Sequence, residues 1–145
     1  MTKLNPYLNF DGTTEEAFTF YKSVFGGEFL GGIMRMNAVP GMEKLPENEQ
    51  NRVMHVALPV GDSVLMASDI CPSMGHKMNQ GNNSYISITV DSREEADRLF
   101  KELTEGGKVE MPMTDMFWGD YWGSFADRFG VQWMISYRTA GDQNQ

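Results

Sequence analysis

The sequence predicts an α+β fold made of two β-α-β-β-β modules, and three observations carry that expectation. A strand, a helix and three strands recur in the same order. The two helices carry apolar residues at matching positions: Ala17, Phe20, Tyr21 and Val24 in the first, Ala96, Leu99, Phe100 and Leu103 in the second, each pair 79 residues apart. A double glycine stops each helix, Gly26-Gly27 and Gly106-Gly107. One module alone would expose a face of its sheet. Two side by side are therefore expected to curve into a mixed-sheet cleft with the helices outside.

Taken in order, Leu4, Pro6, Leu8 and Phe10 alternate with Asn5, Tyr7 and Asn9, a period of two and hence a strand. Asp11-Gly12 ends it. Thr13 to Glu16 has the spacing of a capping box, so a helix is expected over 14–25. Residues 28–38 read as a second strand weakened by Gly31 and Gly32, and 39–51 as a polar loop. Val53 to Val60 and Ser63 to Asp69 read as two more strands joined at Gly61-Asp62. Residues 70–83, rich in Gly, Asn and Pro, are the expected link between a module of about 1–70 and one of about 84–138. The second module starts with a strand from Tyr85 to Val90 and a capping box from Ser92 to Glu95. A helix over 93–105 follows, then a strand from Lys108 to Met116, then a hairpin whose last strand runs from Val131 to Tyr137. Residues 139–145 read as a polar tail.

At 145 residues the chain is one domain, and 41% hydrophobic residues suffice for a core. The formal charge of −8 argues against nucleic acid or an anionic membrane as partner, since both need a basic face. No run approaches the length of a membrane span, about 18 apolar residues. Met1-Thr2-Lys3 leads directly into a strand pattern, so a cytoplasmic protein without a signal peptide is expected. Cys71 is the single cysteine and allows no internal disulfide. Twelve methionines suit irregular cores and adaptable pockets.

The stretch from Met116 to Ile135 holds all three tryptophans, Trp118, Trp122 and Trp133, with Phe117, Tyr121, Phe125 and Phe129. Asp127 to Gly130 reads as a tight turn between strands. This hairpin closes a core, lines an apolar pocket, or does both.

Several segments together resemble the PhnB-like branch of the vicinal-oxygen-chelate superfamily of glyoxalases, bleomycin-resistance proteins and extradiol dioxygenases. They are Asn5-Pro6-Tyr7-Leu8-Asn9-Phe10, Phe20-Tyr21-x-x-Val24-Phe25-Gly26-Gly27, Met54-His55-Val56-Ala57-Leu58, Gly81-Asn82-Asn83, Phe117-Trp118-Gly119 and Asp127-x-Phe129-Gly130-x-x-Trp133. The resemblance implies a divalent metal ion held by four side chains, from the first and last strands of each module. Those positions here are Asn5, Met66, Tyr85 and Met134. Hard divalent ions want carboxylate oxygen or imidazole nitrogen, and two thioethers, a phenol and an amide are poor substitutes.

The expectation is accordingly a small-molecule-binding protein that uses no metal and no cofactor. Asn5, Tyr7, His55, Met66, Tyr85, Trp118, Trp122, Phe125 and Met134 are its candidate ligand-binding residues. The alternative is a lyase or isomerase acting on an enolisable substrate, with His55 or Asp69 as base. A third is an interaction protein whose cleft is filled by its own side chains. His55 also reads as a hydrogen-bonded wall residue, and His76 as a solvated loop residue. No phosphate loop and no Gly-x-Gly nucleotide site is present. Open sheet edges lead us to expect a homodimer.

Overall fold

The computed structural model of the chain describes residues 1–139. They divide into two compact units, Met1–Asn79 and the residues from Gln80 onward. Each unit contains a four-stranded, open, mixed sheet.

The first unit runs β1 (Tyr7–Phe10), α1 (Thr14–Phe25), β2 (Met34–Arg35), α2 (Glu47–Gln50), β3 (Val53–Val60) and β4 (Ser63–Asp69). The order across the sheet is β1-β4-β3-β2, with β1 parallel to β4 and the other pairs antiparallel. Alternation in β4 sorts the two faces. Leu65, Ala67 and Asp69 are buried on the α1 side, and Val64, Met66 and Ser68 are half-buried on the other. α1 packs down through Ala17, Phe18, Tyr21 and Val24. Phe18 meets Tyr21 edge-on at 5.4 Å and is fully buried, whereas Phe20 is only half-buried.

Two local expectations are corrected here. Thr13 makes no side-chain cap on α1. The buried Asp69 carboxylate serves that end instead, accepting from Gly12 N, Thr14 N and Thr14 Oγ1 on one oxygen and from Val53 N on the other. The second strand shrinks to Met34–Arg35 because Gly31 and Gly32 adopt φ of +69° and +74°, which turns the chain out of extended geometry. A 3-10 turn over Met36–Ala38 follows, and α2 interrupts the expected polar loop.

The second unit runs β5 (Ile86–Thr89), α3 (Arg93–Leu103), β6 (Lys108–Asp115), β7 (Asp120–Ala126) and β8 (Gln132–Arg138). Its order is β5-β8-β7-β6, with β5 parallel to β8. This repeats the first unit's topology strand for strand. Ser92 Oγ caps α3 by accepting from Glu95 N at 3.1 Å. α3 stops at Leu103, two residues before the expected end. The chain must then enter β6 through Gly107, where a Cβ would stand 2.2 Å from the Ala126 carbonyl oxygen. Ala96, Leu99 and Leu103 bury against a sheet face made by Phe125, Trp133 and Ile135.

The turn from Asp127 to Gly130 is built around one buried carboxylate. Asp127 Oδ1 accepts from Phe129 N and Val131 N, and Oδ2 accepts from Trp133 Nε1 at 2.8 Å. Gly130 has φ of +84° there. Thr139 is tied back to the Gly119 carbonyl, and the rest of the expected tail lies outside the described residues.

Candidate functional site

In each unit one sheet face is covered by a helix and the other carries the chemistry. On the first, the ladder sets Tyr7 beside Met66 and Met66 beside Ala57, which puts His55, two residues from Ala57, on the same side. The Tyr7 hydroxyl and His55 Nδ1 share a hydrogen bond of 3.2 Å, with ring centroids 5.8 Å apart. Met34 lies opposite His55 on the next strand, and both Tyr7 and Met34 are about half exposed. Asn9 and Ser68 continue this face, with the Ser68 hydroxyl 3.2 Å from Asn9 Oδ1.

Asn5 lies just ahead of β1. Its Oδ1 already accepts from Val64 N at 3.0 Å, so it locks the strand pairing. Asp69 belongs to the helix-covered face, and its oxygens are committed to the backbone and Thr14. That removes it as the base of the enolisation alternative. His76 is exposed in its loop, as expected, and its Nδ1 accepts from Cys71 N. The Cys71 thiol is buried beside Met36 Sδ, and burial pushes its pKa up, which suits an inert sulfur.

On the second unit's open face stand Ser87 and Met134, paired with each other, then Ser124, Trp122 and Ser136. Tyr85 precedes β5, and its hydroxyl donates to Glu110 Oε1 at 2.7 Å. That bond raises the phenol's pKa, and desolvation adds to it.

Two predicted residues fall elsewhere. Phe125 is fully buried on the α3 side, edge-on to Phe100 at 5.3 Å, so it is core and not ligand wall. Trp118 sits in the loop between β6 and β7, half exposed, with Nε1 donating to Asp120 Oδ2 and its ring edge-on to the exposed Phe117.

Glu110 is the residue that sequence reasoning missed. The β6–β7 register steps from Val109↔Phe125 to Met111↔Ser124, so two β6 residues stand against one of β7. Such a bulge re-aims the extra side chain. Pro112, two positions on, was the available signal, because proline within a strand marks an edge or a bulge.

Residues 3–135 match the Glyoxalase/Bleomycin resistance protein/Dioxygenase superfamily. The chain belongs to that superfamily. Protein YjdN of Escherichia coli strain K12 is 32% identical to it over 142 residues, covering 92% of this chain and 93% of its own. The structure of PA1353 from Pseudomonas aeruginosa superposes with a TM-score of 0.85 at 37% identity, covering 97% of this chain and 100% of that one. The PhnB protein of Bacillus cereus shares the fold, with a TM-score of 0.74 at 24% identity, covering 94% and 99%.

The divalent ion implied by the resemblance does not fit the donors present. Asn5 offers an oxygen that the backbone already holds, Met66 and Met134 offer thioethers, and Tyr85 offers a phenol whose ionisation is made harder. Among the described residues no group of three or more His, Cys, Asp or Glu is placed to hold a metal ion, and no helix is long and apolar enough to cross a membrane.

Proposed function

We propose that this chain is a cytoplasmic, homodimeric protein that binds a small organic molecule on the open faces of its sheets without a metal ion. One observation carries the reading. The positions where the family resemblance expects metal ligands hold thioethers, an amide bound to the backbone and a neutral phenol. Around them lie surfaces suited to flat or apolar ligands: Tyr7, His55, Met34 and Met66 in the first unit, Tyr85, Trp122 and Met134 in the second. Aromatic and thioether walls grip such ligands by dispersion and tolerate variation in shape. The dimer reading rests on the open outer edges of the sheets, which are usually paired or covered. Native mass spectrometry of the purified protein tests all three parts together. A dimer mass carrying an organic adduct and no metal is expected, and a stoichiometric metal ion overturns the reading.

The Tyr7–His55 pair favours a second reading. A phenol hydrogen-bonded to an imidazole is a proton-transfer couple, as an isomerase or lyase acting beside a carbonyl would need. A turnover that is lost in His55→Gln while the fold is kept supports this reading over simple binding.

A further inference from the structure

On the second unit's open face one carboxylate, Glu110, is engaged by a phenol and by no ion pair. The bulge in β6 brings Glu110 within 2.7 Å of the Tyr85 hydroxyl, although Tyr85 and Glu110 come from opposite edges of the sheet. Among the described residues no Lys or Arg pairs with Glu110. Of its open-face neighbours in the ladder, Met111, Trp122, Ser124 and Met134 are uncharged, and Lys108, which its pairing with Ala126 puts on the same side two residues before Glu110, makes no ion pair with it. Arg138 lies at the other end of β8 and is tied to Asp120 at 3.1 Å. Aromatic rings, thioethers and a carboxylate held in no ion pair therefore share a face.

We propose that this face binds a small organic cation, an amine or quaternary ammonium carried on an apolar body. The proposal rests on the small-molecule reading above and names the ligand's chemical class. An ammonium group gains a charge-assisted hydrogen bond or ion pair from Glu110. The faces of Tyr85 and Trp122 attract the same charge, and Met111 and Met134 receive the apolar body. A neutral ligand of the same shape would cover a carboxylate without compensating it, and an anion would meet it directly. The chain's net charge of −8 raises the local concentration of cations and lowers that of anions.

The test uses phenethylamine, 2-phenylethanol and 3-phenylpropionate, which share a ring and differ in end-group charge. Titration calorimetry on the whole chain is expected to show the amine binding about tenfold more tightly than the alcohol, the worth of one charge-assisted hydrogen bond, with the acid weakest. Glu110→Gln should bring amine and alcohol within about twofold of each other, because the amine loses its ion pair and the alcohol no longer covers a charge. Glu110 is exposed, so the variant should keep its fold, and circular dichroism checks that it does. Equal binding of amine and alcohol to the unaltered protein overturns the cation proposal and leaves the small-molecule reading standing. A preference for the amine that survives Glu110→Gln overturns the assignment to this face. No binding of any of the three to folded protein overturns both readings.

Discussion

Thr14 Oγ1 donates to Asp69 Oδ1 at 2.7 Å, so the last residue of β4 closes the first turn of α1 from 55 positions away. The same carboxylate also accepts from Gly12 N, Thr14 N and Val53 N. It satisfies the orphan donors at the helix start and ties β3 to that helix. Asp69→Ala strands these buried donors together. The expected loss is at least about 3 kcal/mol, read as a lower urea midpoint with an unchanged slope. Thr13→Ala, at the position the capping-box pattern singled out, should cost less than about 0.5 kcal/mol, because its side chain caps nothing.

Gly107→Ala should be among the most damaging glycine substitutions. A Cβ there would sit 2.2 Å from the Ala126 carbonyl oxygen and 2.9 Å from the Asp127 backbone, and neither can swing aside as a side chain would. A loss of about 2–3 kcal/mol is expected. Gly27→Ala meets no atom within 4 Å and carries only the strain of φ at +82°, so it should cost about 1 kcal/mol. Thermal melts of the two variants check the order.

Much of this fold was legible because its signals are local. Ser63 to Asp69 alternates cleanly and forms β4 with those bounds, and the helix over 14–25 has both its apolar face and its glycine stop in the chain. What was hidden depends on contacts distant in sequence. Thr13 and Glu16 have the spacing of a box, but the bonds that cap the helix come from Asp69. Gly31 and Gly32 looked like a weak spot in a strand and instead turn the chain.

The site was legible in part for the same reason. Tyr7, Met66, Trp122 and Met134 fall on open faces, as the period of two allows. Trp122 and Phe125 are an odd number of residues apart on one strand, so they cannot share a face, and Phe125 goes to the core. Glu110 was masked because a bulge breaks the alternation that would otherwise place it.

The Tyr85 phenol should reveal its partner on alkaline titration. Ionisation removes the proton it donates to Glu110 and sets a phenolate against a carboxylate, so its pKa lies above the ordinary tyrosine value. The raised value means that the neutral phenol is favoured in the folded state, and that preference is lost as the pH rises through the phenol's range. Glu110→Gln should therefore move one tyrosine's titration to lower pH in ultraviolet difference spectra. An unchanged titration would show that the Tyr85–Glu110 bond does not persist in solution.

Two tryptophans close together in sequence should respond differently to truncation. Trp133 is buried, with its ring nitrogen bound to Asp127 Oδ2, so Trp133→Ala should cost about 3–5 kcal/mol. Trp122 is half-buried on the open face, and Trp122→Ala should cost less than about 1.5 kcal/mol of stability. Its larger effect should be on the affinity for phenethylamine. A stability loss at Trp122 matching that at Trp133 would make it core and remove it from the ligand surface.

Metal addition offers the most direct test of the donor chemistry. A metal that binds only the folded state stabilises it by mass action, about 2.7 kcal/mol at a hundred times its dissociation constant. For a chain of this size that corresponds to a rise of several degrees in melting temperature. The thioethers of Met66 and Met134 have little affinity for hard divalent ions, and Asn5 Oδ1 could serve one only by releasing Val64 N. Zinc, nickel and manganese, each added to protein first stripped with a chelator, should therefore leave the melting temperature unchanged within a degree or so. Oxidising the half-buried Met66 and Met134 to sulfoxides supplies a harder oxygen donor and is a useful control. A rise of several degrees with any of these ions in untreated protein would return a metal-dependent, glyoxalase-type activity to first place.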